Sequence, residues 1–182
     1  MDSLIIKEKI SEKLSDFPLN TYAFFDPKII NFSEEVRGMC AQNSCGKFGT
    51  NWQCPPAVGS VDENRLICQR FNNALILNTV AELEDSFDFE GMMEAGANHK
   101  KTALQIKDFM KSLTDDFLMF GAGGCNLCPR CSYLDGEPCR KPDETMPAME
   151  ACGIFVVELC KTTGLKYING QDTVTYFSLI LF

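Results

Sequence analysis

Hydrophobic and polar positions follow two different periods along this chain, and so predict both helices and strands. Four stretches carry apolar residues at the spacing of a helix that buries one face, namely residues 4–17, 60–71, 92–113 and 144–163. Ser60 followed by Glu63 is the capping-box signature for the start of the second helix. Pro18 ends the first helix and Gly164 is placed to cap the fourth.

Shorter apolar runs bounded by turn residues predict strands at residues 21–25, 74–80, 117–120, 165–168 and 173–181. Asn169-Gly170 separates the last two runs and is the strongest short signal for a hairpin. We therefore predict an α/β or α+β class, with a mixed sheet, flanking helices and a C-terminal β-hairpin. A length of 182 residues predicts a single domain over 1–182.

Two cysteine-rich segments interrupt this pattern. We call residues 37–59 the N-terminal cysteine segment and residues 121–142 the C-terminal cysteine segment. Both contain several glycine and proline residues, and the N-terminal one also contains asparagines, so both are predicted to be loops. Any metal chemistry of the chain is expected in these two loops.

The C-terminal cysteine segment contains CNLCPRC followed by Cys139, a spacing of C-x2-C-x2-C-x7-C. Two successive C-x2-C gaps bring three thiolates around one centre, as in the ferredoxin pattern, which differs only after the third cysteine. Structural zinc sites usually take their cysteines as separated pairs. The spacing therefore favours a [4Fe–4S] cluster, with zinc as the alternative, on four ligands: Cys125, Cys128, Cys131 and Cys139.

The N-terminal cysteine segment carries Cys40, Cys45 and Cys54 with the spacing C-x4-C-x8-C. Pro55 favours an extended conformation at Cys54. Three thiolates call for a fourth ligand, for which the candidates are Cys139, Cys68 and Cys152. The alternative is that the fourth coordination position of the metal is open and takes a substrate or water. This segment predicts a second or shared iron–sulfur cluster, or zinc.

Residues near the C-terminal cysteines suit an anionic cluster. Gly123 and Gly124 let the main chain approach the sulfurs, and Arg130 and Arg140 add positive charge. We predict these four residues as part of the cofactor site, although the arginines are also consistent with ordinary surface charge. Trp52 is expected to shield the N-terminal cysteines from water, or simply to pack in the core.

Composition limits the possible functions. A formal net charge of −8 argues against a nucleic-acid partner, and no apolar run is long enough to cross a bilayer. The charged residues 7–9 do not fit a signal peptide, which favours a cytoplasmic protein. In a reducing cytoplasm ten cysteines are more typical of metal binding than of disulfides. Cys68, Cys160 and His99 are expected in or at the edge of the core.

Four stretches of the chain resemble the predicted metal-binding proteins of the domain-of-unknown-function 2284 family. They are RGMCAQNSCGKFGTNWQCPP, GAGGCNLCPRCSYLDGEPCRKP, AMEACGIFVVEL and NGQDTVTYFSLILF. The resemblance implies a metal site, usually assumed to be iron–sulfur, on the seven cysteines of the two segments: Cys40, Cys45, Cys54, Cys125, Cys128, Cys131 and Cys139.

Three functions are consistent with these residues. The first is an iron–sulfur redox protein with one or two [4Fe–4S] clusters, which exchanges electrons with a partner protein or a small molecule. The second is an enzyme in which a cluster with an open iron acts on a small molecule. The third is a zinc-stabilised structural or interaction module. None of the three requires nucleic acid or a membrane.

Overall fold

The structure is a computed structural model that describes residues 3–182, so the first two residues of the predicted domain lie outside it. Within this range the chain forms five α-helices and four strands. In chain order they are α1 Ser3–Leu14, β1 Thr21–Phe25, α2 Glu34–Ala41, α3 Val61–Cys68, β2 Ala74–Glu82, α4 Phe89–Leu113, β3 Leu118–Phe120, α5 Val156–Thr163 and β4 Thr173–Leu181.

The four strands form one sheet in the order β1-β2-β4-β3, and every pairing is antiparallel. The mixed α/β class is therefore confirmed, with an antiparallel sheet in place of the mixed one predicted. β2 and β4 pair along their full length, from Ala74 opposite Leu181 to Glu82 opposite Thr173. β3 pairs only with the last three residues of β4, so the earlier part of β4 has no β3 partner on that side.

Each face of the sheet buries its own core, because successive strand residues point to opposite faces. On one face Leu75 and Leu77 of β2 pack with α1 and α4. On the other face Ala74 and Ile76 pack with α5 and the segment before it. Cys68 and Cys160 lie in this second core and are 0% and 1% exposed, as expected for free thiols that pack as small apolar groups.

The helix predicted over residues 144–163 is wrong in its first half. The chain instead forms a short 3₁₀ turn, Glu150–Cys152, and enters α5 only at Val156. Gly153 separates the two with a φ of +83°, a left-handed conformation that ends a helix. Gly164, with a φ of +77°, caps α5 as predicted.

The predicted C-terminal hairpin is also absent. Leu165–Ile168 forms no strand, and β4 pairs with β2 and β3 instead. Leu165 is buried, and its N–H donates to the carbonyl of Cys160 at 2.9 Å, which ties this segment to the end of α5. The Asn-Gly signal is local, whereas β4 finds its partners far away along the chain. Among the described helices, none is both long and apolar enough to span a membrane.

Candidate metal centre

The C-terminal cysteine segment leaves the sheet directly after β3. The N–H of Gly121 donates to the carbonyl of Pro147 at 3.0 Å, which fixes the start of the segment beside the chain that follows it. Beyond this point, the four cysteines line one small cavity of about 20 Å³. Trp52 and Gln53 of the N-terminal cysteine segment also line this cavity. Residues of both cysteine segments therefore form the wall of this cavity.

The seven residues between Cys131 and Cys139 fold into a compact turn. Ser132–Asp135 forms a 3₁₀ helix, and Gly136 reverses the chain with a φ of +71°. The hydroxyl of Ser132 donates to the carbonyl of Pro138 at 2.7 Å and closes the turn. This local structure returns Cys139 to the other cysteines of its own motif.

The four predicted cofactor residues lie around this segment in different ways. Arg140 lines the cysteine cavity and donates to the carbonyl of Arg130 at 2.8 Å. Arg130 forms an exposed ion pair with Asp135 at 2.9 Å. Gly123 has a φ of +72°, and a side chain at Gly124 would lie 2.7 Å from Cγ of Lys47. A side chain at the second position would therefore force the Lys47 side chain to move, and glycine allows the two cysteine segments to pack closely.

The N-terminal cysteine segment is not a loop throughout. Cys40 lies in α2, which Ser33 caps by accepting the N–H of Val36 at 3.2 Å. Cys45 is exposed and Cys54 is 7% exposed. This helix was not predicted, because the glycines and asparagines that closely follow it indicate a loop.

The thiol of Cys40 lies within electrostatic range of Cys45 and of Cys54. Burial raises the pKa of the Cys40 thiol, and the thiols of Cys45 and Cys54 raise it further, whereas the guanidinium of Arg37 opposes them. Arg37 also donates to the carbonyls of Ala151 and Gly59, so it ties α2 to its surroundings.

Cys152, one of the candidate fourth ligands, ends the 3₁₀ turn that packs against α2, the helix that carries Cys40. Its side chain is fully buried, and burial raises its pKa to about 12, with smaller contributions from Cys68 and Cys40. Cys139, by contrast, lines the cavity of the C-terminal motif. The sequence left Cys152 and Cys139 as equivalent candidates for the fourth ligand. The fold places Cys152 near α2 and Cys139 with the C-terminal motif.

Side chains also link the two cysteine segments directly. The ammonium of Lys47 donates to Oδ1 of Asn126 at 2.8 Å, and Nε1 of Trp52 donates to the carbonyl of Glu137 at 3.1 Å. The Trp52 ring packs edge-on against Tyr133, with ring centroids 5.0 Å apart. Segments that are far apart in sequence thus form one cysteine-rich surface region.

A comparison with protein families bears on this region. A family model described as a predicted metal-binding protein (DUF2284) matches residues 23–182. The chain belongs to the DUF2284 family. The match covers all seven cysteines of the two segments, and metal binding is the property that describes the family. Searches of curated proteins and of solved structures give no match for this chain.

The donor chemistry of this DUF2284 protein fits a thiolate-bound metal centre, because four cysteines line one cavity together with the cationic side chains of Arg140 and Lys141. Among residues 3–182, no group of three or more His, Cys, Asp and Glu side chains is arranged to hold a metal ion.

A larger cleft of about 460 Å³ lies on the other side of Gln53, which lines both cavities. It is bordered by α4, by the glycine run that begins at Gly121, and by the part of β4 that β3 does not cover. His99, Tyr176 and Ser178 line it. Helical spacing predicted that His99 lies near the core, but nothing local in the sequence indicated a cleft.

Proposed function

We propose that this DUF2284 protein binds a [4Fe–4S] cluster and serves in electron transfer in a reducing cytoplasm. The observation that carries the proposal is that every cysteine of the C-x2-C-x2-C-x7-C motif lines the same cavity. The successive C-x2-C gaps are those of ferredoxin ligands. The ligands we propose are Cys125, Cys128, Cys131 and Cys139.

The neighbouring residues would hold and tune this centre. A bound cluster supplies one-electron exchange. Arg140 would offset its negative charge from the cavity wall, and the ring of Trp52 would limit access of water from the other segment. Gly123 and Gly124 would bring backbone close to the sulfurs. The partner we propose is a redox protein or a small molecule, in keeping with the net charge of −8.

We further propose that Cys40, Cys45 and Cys54 form a second metal centre, either iron–sulfur or zinc. Their C-x4-C-x8-C spacing within one short segment supports their grouping, and Cys40 lies within electrostatic range of the other two. A second candidate function, an enzyme with an open iron acting on a small molecule, is favoured by the cleft on the far side of Gln53, the residue before Cys54.

The test is purification without oxygen, followed by measurement of iron, acid-labile sulfide and zinc. We expect a brown protein with iron and sulfide in equal amounts. The Cys139→Ser variant should lose the cluster of the C-terminal motif. The Cys160→Ala variant is the matched control, because Cys160 is a residue of α5 whose side chain is buried in the core, and it should retain the full content.

A colourless protein that contains zinc and no sulfide would refute the iron–sulfur proposal. Electron paramagnetic resonance of the reduced protein, repeated for Cys54→Ser, distinguishes one cluster from two. If Cys139→Ser and Cys54→Ser abolish the same single signal and no other cluster remains, the two-centre arrangement is wrong.

A further inference from the structure

The cleft between α4 and the free edge of β4 has the construction of a ligand site. Its floor consists of the His99 and Tyr176 rings, which stack with centroids 5.9 Å apart and an interplanar angle of 30°. Both nitrogens of His99 are occupied, since Nδ1 lies 2.8 Å from Oγ1 of Thr79 and Nε2 lies 2.9 Å from Oγ of Ser178. The hydroxyl of Tyr176 donates to the carbonyl of Met92 at 2.8 Å. These hydrogen bonds hold both rings at the floor in place.

The remaining lining of the cleft is mostly apolar or main chain. Met93 and Ala97 of α4 line one side, and Met146 lines the other beside the glycine run. Met93 is 76% exposed, so a large apolar side chain stands at the rim without a packing partner that buries it. Apolar walls with a few fixed polar groups are typical of small-molecule sites.

The charge of the cleft is unlike that of the chain as a whole. Among the residues that line it, Lys100 is the charged one, and no carboxylate lines it although the chain has 25 acidic residues. Lys100 is half-buried and forms no ion pair with any residue in 3–182. Burial lowers the pKa of His99 to about 4, so the imidazole at the floor is neutral at neutral pH. The electrostatic potential in the cleft therefore favours the binding of an anion.

We propose that this cleft binds a small organic anion, with its apolar body between Met93, Ala97 and Met146 and its acidic group at the ammonium of Lys100. The site lies next to the cysteine cavity, because Gln53 lines both. The amide of Gln53, with its nitrogen towards the Met146 carbonyl, pairs with that residue's backbone at 3.0 and 2.8 Å, so this shared wall is fixed. The proposal rests on the cleft and does not depend on the metal.

The test uses two dyes that differ in charge, anilinonaphthalene sulfonate and its neutral analogue phenylnaphthylamine. Both are titrated into the full chain, and the rise in dye fluorescence gives the dissociation constants. We expect one saturable site that prefers the sulfonate. Lys100→Met should weaken sulfonate binding about fivefold and leave the neutral dye unchanged, which is the effect of losing one partly exposed ion pair. Lys101→Met removes the same charge from the next, exposed position of α4 and should change neither affinity.

A blocking variant tests the position of the site. Ala97 is exposed at the cleft, so Ala97→Trp should fill the cleft and abolish binding of both dyes while the helix stays folded. Asn98→Trp adds the same ring at a neighbouring exposed residue and should leave binding intact. Far-ultraviolet circular dichroism verifies the fold of each variant. Absence of saturable binding, equal effects of the two lysine variants, or binding that survives Ala97→Trp would overturn the proposal.

Discussion

His99 illustrates what the position of a single residue in the fold does to its chemistry. It is the one histidine of the chain and is 3% exposed, with hydroxyls of Thr79 and Ser178 at its two nitrogens. These partners are uncharged, and a hydrogen bond to the backbone of Phe177 offsets only part of the cost of burying a positive imidazolium. Burial accordingly lowers the pKa of His99 to about 4.

This pKa predicts a pH-dependent stability. The unfolded chain binds the proton near pH 6.5 and the folded chain only near pH 4, so His99 favours the folded state fully above about pH 6.5 and progressively less as the pH falls towards 4. From pH 7 to pH 4 the wild-type protein should lose about 3 kcal/mol of unfolding free energy through this group.

Urea unfolding at a series of pH values checks this expectation. The His99→Gln variant serves as the comparison, because every carboxylate and thiol titrates in both proteins and cancels in the difference. The wild type should show the steeper loss of unfolding free energy between pH 6.5 and pH 4. Parallel curves for the two proteins would show that His99 accepts its proton in the folded state.

At the scale of elements, two glycines end helical turns in the same left-handed conformation but in different surroundings. A side chain at Gly153 would lie 2.8 Å from Cγ2 of Val61 and 3.3 Å from the carbonyl of Ser33. A side chain at Gly164 would meet nothing within 4 Å. The first glycine therefore allows the 3₁₀ turn to pack closely against the start of α3.

Alanine at these two positions should have unequal costs. Gly164→Ala should cost about 1 kcal/mol of unfolding free energy, the penalty of a left-handed non-glycine residue. Gly153→Ala carries the same penalty and also forces Val61 to move, so about 2–4 kcal/mol is expected. Urea denaturation of the two variants measures both costs. Equal losses would mean that Val61 moves aside freely.

The sequence predicted elements well where the signal is local. β1 has the predicted bounds, Thr21–Phe25, and the capping box at Ser60 forms as expected, with the side chain of Glu63 accepting the Ser60 N–H at 2.7 Å. α4 begins earlier than predicted, because the side chain of Asp88 caps it by accepting from the N–H of Gly91 at 2.8 Å. The predicted helix at 144–163 failed because apolar spacing gives no sign of the left-handed turn at Gly153.

At the scale of the whole molecule, Trp52 is the residue that most directly joins the two cysteine segments. It lines the cysteine cavity, donates to the carbonyl of Glu137 and packs on Tyr133. A metal centre in the C-terminal segment would therefore depend on a residue from the N-terminal one.

Trp52→Phe should accordingly speed the release of iron from the proposed iron–sulfur centre. The variant keeps an aromatic ring beside Tyr133 but loses the hydrogen bond to Glu137, and the loss of about 1 kcal/mol corresponds to about fivefold faster iron release. Iron transfer to bathophenanthroline, followed by absorbance in the absence of oxygen, measures the rate. Tyr22→Phe also removes one polar group from an aromatic side chain, on β1, and should release iron as the wild type does. An unchanged rate in Trp52→Phe would show that the segments hold their metal independently.

The sequence by itself determined the mixed α/β class, most of the helices and strands, and the two groups of cysteines. These features follow from periodicity, capping and spacing, which act over a few residues. Tertiary structure alone decided that β4 pairs with β2 and β3, that Cys139 rejoins its own motif, and that the turn ending at Cys152 packs against the helix of Cys40. It also formed the cleft over His99, because residues of α4, β4 and both cysteine segments meet there only when the chain closes long loops.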